Sequence, residues 1–591
     1  LAIFDNFFNT GRPNQYNQKL NATYNLPINK IPFLNFIKAD YAYTADFDWR
    51  AQSQDPEVIQ QVGNLVQNAN THNLNTNLNL DRLYKSFGFS KWYNSTSKER
   101  KARGKKSKSK QKNATIAGLP KTPTVVRRKK KIPIIKKIVK GVYDVATSVK
   151  QAKVSYAENN GQMLSGFKEN VGFFGGPSSG FAFGSQVDIR NKALENGWLV
   201  TPRLEVDNPN TIDVDESTYY NKTYNRTFYS KLDYSFTAKP FKDLNIEIRG
   251  NRIQTRDISQ QIDIVENGSR NGGFIAISPF ETGNFSTSYF MANTMFKNGD
   301  ELFRDLRDFR GVISQNLANQ NLSNGATNRF GTNSQQVLLP AFLAAYSGKD
   351  PNNVKSGLFR DIPLPNWTLR YNGLMKLKWF KTMFSSFVVS HGYNSSYTVS
   401  GYTNNLLFDK TDPFPANTSG NFEPELLASA VTLVDEFSPL VRLDMKMKNS
   451  FSFRGEINRD RALNLNFNNN TLTDVSGTEY IFGMGYVFKD VKVSTRFTGK
   501  KQTLKGDVNL RADVSLRDNI TQIRAIEDDN NQISGGQRLF SIKFTADYAL
   551  SRSLTASFYY NHQATRYAIS TTFPRQAING GINIIYNLGG N

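Results

Sequence analysis

In KGDVNLRADVSLR, residues 505–517, Val508, Leu510, Ala512, Val514 and Leu516 fall on one side of an extended chain. Lys505, Asp507, Asn509, Arg511, Asp513, Ser515 and Arg517 fall on the other, because successive side chains of a strand point to opposite faces. The pattern recurs along the chain. Val441, Leu443, Met445 and Met447 oppose Arg442, Asp444, Lys446 and Lys448; Ala39, Tyr41, Tyr43, Ala45, Phe47 and Trp49 oppose Lys38, Asp40, Thr44, Asp46 and Asp48. Phe540, Ile542, Phe544, Ala546, Tyr548 and Leu550 oppose Ser541, Lys543, Thr545 and Asp547. Near the end, Leu554, Ala556, Phe558 and Tyr560 face away from Ser553, Thr555, Ser557, Tyr559 and Asn561, and Ile582, Ile584, Tyr586 and Leu588 from Asn583 and Asn587.

These runs are as long as a tilted strand needs to cross a bilayer, about 9–11 residues, and Trp, Tyr or Phe repeatedly end their apolar faces, as an interfacial girdle requires. Midplane Lys or Arg on a lipid face costs about 2–4 kcal/mol, whereas a watery lumen accepts them. The expectation is an all-β fold, a transmembrane antiparallel β-barrel with long loops and a few short helices. Tyr41, Phe47, Trp49, Leu510, Val514, Phe540, Phe544, Phe558, Tyr560, Ile584 and Tyr586 are then lipid-facing. Asp40, Asp46, Asp48, Arg442, Asp444, Lys446, Lys448, Asp507, Arg511, Asp513, Lys543 and Asp547 line the lumen. A greasy last strand at 578–588 follows, since lipid is its solvent and closure satisfies its edge. Tight turns are expected at 379–382, 447–450, 489–492 and 550–553, all at the periplasmic end, and the strand total at roughly 14 to 16.

Composition agrees. Aromatic residues reach 13%, with 43 Phe and 26 Tyr, against only 38% hydrophobic residues. There is no cysteine, which removes disulfides, thiolate metal sites and cysteine nucleophiles. His72, His391 and His562 stand far apart and suit interfacial or lumen positions better than a metal site. No stretch is apolar for the ~20 residues of a membrane helix; the longest candidate, VLLPAFLAAY (337–346), is half that. The chain starts at Leu1 with no visible signal peptide, which reads as a mature or internal piece.

Net charge is +24, concentrated between Lys98 and Lys140, where eighteen Lys/Arg meet one acid, Glu99. The first half is low-complexity and is expected to be disordered. In the second half Ile134, Ile135, Ile138, Val139, Val142, Val145, Val149 and Ala152 recur at helical spacing, the mark of a basic amphipathic helix. Lys105, Lys106, Arg127, Arg128, Lys129, Lys130, Lys131, Lys136, Lys137 and Lys140 form a candidate patch for anionic lipid or an acidic partner. Nucleic acid is disfavoured, because no recognised module accompanies the lysines.

No HExxH, nucleophile elbow or phosphate loop occurs in the right context, so the chain reads as no enzyme, with no catalytic residues, metal or cofactor. GGPSSGFAFG (175–184) lacks the lysine and following helix of a phosphate loop. The acids Asp207, Asp213, Asp215 and Glu216, and Glu527, Asp528 and Asp529, suit solvated loops better than a divalent ion.

Longer phrases carry a family resemblance. NLPINKIPFLNFIKADYAYTADFDW (25–49), QNANTHNLNTNLNLDRLY (67–84), VSYAENNGQMLSGF (154–167) and GFAFGSQVDIRNKALENGWL (180–199) resemble the C-terminal part of the SprA/Sov family. So do LLPAFLAAYSG (338–348), IPLPNWTLRYNGL (362–374), SFVVSHGYNSSYTV (386–399) and FSPLVRLD (437–444). SprA/Sov is the outer-membrane translocon of the Bacteroidetes type IX secretion system, and NGGINIIY (579–586) is similar to the terminal signal read by the barrel assembly machinery. The resemblance implies one giant barrel of about 36 strands, whose lumen passes folded cargo bearing a type IX C-terminal signal, including gliding adhesins. It implies as partners the remaining N-terminal part of the barrel, a PorV-like small barrel at a lateral opening, a periplasmic plug protein, and outer-membrane lipid. The residues alone leave open a self-contained loop-rich porin or an outer-membrane nutrient transporter. The organisation expected is barrel strands over 1–84, the basic loop and helix over 85–150, and strands with long loops over 151–296. A helical or irregular insertion at 297–365 and C-terminal strands over 366–591 complete it.

Overall fold

The computed structural model describes residues 13–52, 62–86, 145, 147–171, 174–175, 179–200, 223–264, 274–320, 330–409, 423–495, 502–528, 531–549, 554–569 and 571–586. The alternating segments become sixteen strands of one antiparallel sheet: β1 (Gln15–Leu26), β2 (Ile37–Ala51), β3 (Asn64–Asn79), β4 (Val149–Phe167), β5 (Thr223–Phe241), β6 (Leu244–Ile264), β7 (Phe274–Ser288) and β8 (Asn366–Tyr371). β9 (Phe384–Asn404), β10 (Leu426–Met447), β11 (Phe451–Asn466), β12 (Thr471–Thr495), β13 (Gln502–Ala525), β14 (Asn531–Ala549), β15 (Leu554–Tyr567) and β16 (Arg575–Tyr586) follow. Neighbours in sequence are neighbours in the sheet, with one exception. β7 and β8 lie end to end in a single lane, each pairing with both β6 and β9.

That shared lane opens halfway down the sheet to release residues 289–365. The insertion carries α4 (Gly299–Gln320) and α5 (Gln335–Ser347). Asp300 and Glu301 sit in the first turn of α4, where acids suit the helix dipole. α5 stops at Gly348, whose φ of 66° closes the helix in the left-handed region. α5 is apolar all round because it is buried all round, from Val337 to Ser347. It lies between the sheet residues Val431, Leu433, Leu463, Leu465 and Leu472 and the Leu302–Phe303–Leu306 stripe of α4. Among the described residues, four further short helices decorate the connections: α1 (Leu80–Ser86), α2 (Ser179–Ala182), α3 (Ile189–Glu195) and α6 (Lys378–Met383).

The structure moves several boundaries. Val149 and Ala152, counted toward a basic amphipathic helix, belong to β4: Ala152 pairs with Leu78 and Phe236, so ladder pairing overrides the helical spacing. Residues 98–140, with the ten basic patch residues, lie outside the described ones. The turn expected at 489–492 is a register shift between Phe488 and Val491, with Asp490 at a φ of 59°, and β12 runs on to Thr495. At 379–382 there is no tight turn but α6. The last strand starts earlier than expected, at Arg575.

Candidate functional site

Register carries each strand's two faces across the sheet. On one face a row runs Ile37, Leu78, Ala152, Phe236, Ile248, Trp367 and Tyr393 over β2 to β9. On the same face Phe387, Met445, Phe453, Met484, Ala512, Phe544 and Tyr560 join β9 to β15. These rows are part of an apolar belt that crosses the whole sheet. In β13 it spans Val508 to Leu516, as many residues as a tilted strand needs within hydrocarbon. Just above it the same face turns charged: beyond Leu516 and Phe540 come Asp518 and Arg538, hydrogen-bonded at 2.6 and 3.1 Å.

The opposite face is predominantly polar, with Val388, Ile481 and Ile585 among its few apolar residues. One row reads Asp444, Arg454, Gly483, Asp513, Lys543, Asn561 and Asn579, and another Asn25, Asp40, Asn75, Ser155 and Asp233. Several of its charges are matched. Arg442 donates to Asp444 at 2.8 Å, Arg454 to Glu456 at 2.5 Å, and Arg442 lies 3.6 Å from Glu456. Arg517 bridges Asp460 at 2.9 Å and Glu479 at 3.9 Å, and Lys19 reaches Asp46 at 3.1 Å. A sheet with one apolar belt and one water-compatible face is the wall of a membrane-spanning β-barrel.

Every residue expected to line the lumen lies on this polar face, apart from Lys448, which sits in the β10–β11 turn. Tyr41, Leu510, Val514, Phe540, Phe544, Phe558, Tyr560, Ile584 and Tyr586 all lie on the belt face. Phe47 and Trp49 share that face but do not meet lipid: they are 3% and 0% exposed. They stand above the belt, beneath a flap formed by the described residues 167–171, 174–175 and 179–200. Phe47 meets the Phe181 ring edge-on at 6.1 Å, and Trp49 Nε1 donates to Glu169 O at 3.3 Å. Asn68 Nδ2 donates to Phe181 O and Ser185 O, both at 2.9 Å, and Asn70 Nδ2 to Gly184 O at 2.8 Å. Asp188 caps α3 and takes three side-chain hydrogen bonds from Arg190. Burial opposes ionisation of Asp188, but the hydrogen bonds and charge of Arg190 outweigh it, so the carboxyl sits below its ordinary range.

Sequence reasoning expected the helical insertion at 297–365 but not that α4 and α5 pack as a cap on the sheet. It missed the flap, although a signal for it was present. Asn68 and Asn70 interrupt the belt face of β3 where lipid would reject an amide. Charge is buried beneath the cap: Arg461 of β11 grips Asp474 of β12 through two hydrogen bonds of 3.1 and 2.6 Å, with side chains 8% and 6% exposed, and its guanidinium lies 5.2 Å from the Tyr346 ring of α5. Arg524, 1% exposed, donates to Asp300 at the start of α4 at 2.7 Å.

The histidines are local fittings. His72 shares a 2.6 Å hydrogen bond with Tyr41, His391 Nδ1 lies 2.7 Å from Leu440 O, and His562 sits in the belt between Ile542 and Ile578. Among the described residues no cluster of three His, Asp or Glu could hold a metal ion. Residues 207–216 and Asp529 lie outside the described ones. Glu527 accepts from Asn333, and its carbonyl accepts from Arg307 at 3.4 Å.

No protein-family model matches the chain, and no curated protein matches it. Solved structures that align with it include the ferric-catecholate import receptor Fiu of E. coli K12 and the FrpB iron transporter of Neisseria meningitidis. Fiu shares 7% identity at a TM-score of 0.23, covering 95% of this chain and 66% of that one. FrpB shares 8% at 0.24, covering 94% and 63%. The siderophore receptor PiuA of Acinetobacter baumannii shares 7% at 0.24, covering 93% and 62%. The chain thus spans less than two thirds of the length of each, and a likeness this loose assigns no function.

Proposed function

We propose that this chain is a portion of the wall of an outer-membrane protein-conducting pore that exports folded type IX secretion cargo, gliding adhesins included. The observation that carries the reading is the direction of the edges. Among the described residues, sixteen strands with β7 and β8 sharing one lane give fifteen antiparallel rungs, so β1 and β16 run the same way. Among the described residues β1 pairs only with β2, and β16 only with β15. An odd count does not close antiparallel, and single-chain bacterial barrels use even strand numbers. An unpaired backbone edge in lipid costs several kcal/mol per group. Further strands therefore belong between the two edges, and the lumen is wider than fifteen rungs alone would enclose.

The resemblance to SprA/Sov supplies the identity of those strands, the N-terminal part of the same giant barrel. It also supplies the other partners: a PorV-like small barrel at a lateral opening, a periplasmic plug protein, and cargo with a type IX C-terminal signal. A water-compatible polar face carrying charges of both signs suits the passage of folded protein, since it offers little apolar surface for the cargo to stick to. The import receptors and transporters among the aligned structures match the alternative of an outer-membrane nutrient transporter, and one experiment separates the two. Cells depleted of the protein are fractionated. The export reading predicts folded secretory proteins accumulating in the periplasm with small-nutrient uptake unchanged; normal secretion with lost uptake refutes it.

A further inference from the structure

At the short-turn end of the sheet, three connections join into one patch on the lipid side. Asn372 N donates to Asp243 O at 3.0 Å, Lys376 pairs with Asp243, and Lys448 N donates to Met383 O at 3.2 Å. The β5–β6, β8–β9 and β10–β11 turns are thereby stitched together. α6 belongs to the second of them, and Met383 at its end takes the hydrogen bond from Lys448. Its Phe380 ring packs on Phe384 at 5.8 Å and on Phe387 at 4.9 Å, and Phe387 is a belt residue paired with Met445. α6 is thus the foot of the belt, on its outward side.

What this foot presents is an unusual mixture. Trp379, Leu377 and Phe241 are 61%, 54% and 57% exposed. Lys242, Lys378, Lys381 and Lys448 stand exposed among them, while the one acid in the three turns, Asp243, is taken by Lys376. Water does not favour exposed Trp and Leu, and the hydrocarbon core does not favour four cations. Both are favoured together at the headgroup level, where indole rings sit and lysines meet phosphates.

We infer that the patch centred on α6 is a docking collar for anionic phospholipid headgroups of the periplasmic leaflet, with Trp379 inserted beside them. The inference rests on the membrane-spanning reading of the sheet and not on what the pore carries. The test uses the intact complex extracted from cells and placed in nanodiscs containing brominated phosphatidylglycerol or brominated phosphatidylcholine at equal mole fraction. The fluorescence that Trp379→Phe removes is the Trp379 signal. The collar predicts that phosphatidylglycerol quenches it roughly twofold more, as local enrichment of anionic lipid requires. Lys378→Gln/Lys381→Gln/Lys448→Gln is expected to equalise the two lipids while keeping the quenching. Equal quenching of the unaltered protein, or no quenching of Trp379, overturns the collar. A Phe558→Trp reporter in the belt keeps the two readings apart: quenched by both lipids, it leaves the span standing even if the collar fails, and quenched by neither, it sinks the span itself.

Discussion

Ala512 sits at the centre of the belt in β13, four residues from Val508 below and Leu516 above, between Met484 and Phe544. Four residues of strand cover about 13 Å, or roughly 10 Å of depth at the usual 45° tilt. An arginine placed there has no short route to water on the belt side. Ala512→Arg is therefore expected to cost about 2–4 kcal/mol, a loss of roughly thirtyfold to several hundredfold in the folded fraction at 1.4 kcal/mol per decade. Two controls isolate the cause. Ala512→Leu adds bulk without charge and belongs in lipid. Ser515→Arg puts the same cation on the polar face, where water surrounds it, and is expected to change stability by under about 0.5 kcal/mol. The assay is the amount of membrane-inserted, heat-modifiable protein on gels, supported by denaturant titration of protein in lipid. Equal loss from Ala512→Arg and Ser515→Arg, or no loss from either, would refute the assignment of faces.

Removing one partner of the buried Arg461–Asp474 pair, as in Arg461→Leu, strands a charge and is expected to cost about 3–5 kcal/mol; Arg461→Leu/Asp474→Leu should recover part of it, read as protease resistance of the 299–347 cap. Gly184 has a φ of 88°, and a side chain there would press on Ala45 and Asn70, so Gly184→Val is expected to loosen the flap by more than the ~1–2 kcal/mol of left-handed backbone strain. Limited proteolysis within 179–200 tests it. The flap should also be acid-sensitive. Because the Asp188 carboxyl titrates below its unfolded value, near 3.9, its contribution is present at neutral pH and fades as pH falls below that value. Proteolysis of the flap should rise over that range and lose its pH dependence in Asp188→Asn.

Legibility followed the period of the pattern. Where a strand meets lipid on one side and water on the other, the two-residue alternation is forced on every side chain, and both faces of β13, β14 and β10 could be read directly. Above the membrane that constraint lapses. There the belt face is covered by protein, which accepts Asn68, Arg461 and Asp474 as readily as Leu463 provided each finds a partner, so strand alternation announces neither the flap nor the docking of the helical insertion onto the sheet. Phe47 and Trp49 misled for the same reason: an aromatic at a strand's upper end reads alike under a girdle and under a flap. The shared lane of β7 and β8 was hidden because β8 is six residues long, too short for alternation to stand out. That one lane sets the parity of the sheet.

The central claim is that β1 and β16 do not meet. Since the chain has no cysteine of its own, single cysteines at Leu20, Ala22 or Tyr24 can be combined with others at Ile578, Ile582 or Ile584 and oxidised in intact membranes. The account predicts no intramolecular β1–β16 disulfide from any pair, with the edge cysteines instead reacting with cysteines placed on further strands of the wall. An efficient disulfide between the two edges would mean that the fifteen rungs close on themselves, and the giant-pore reading would be wrong.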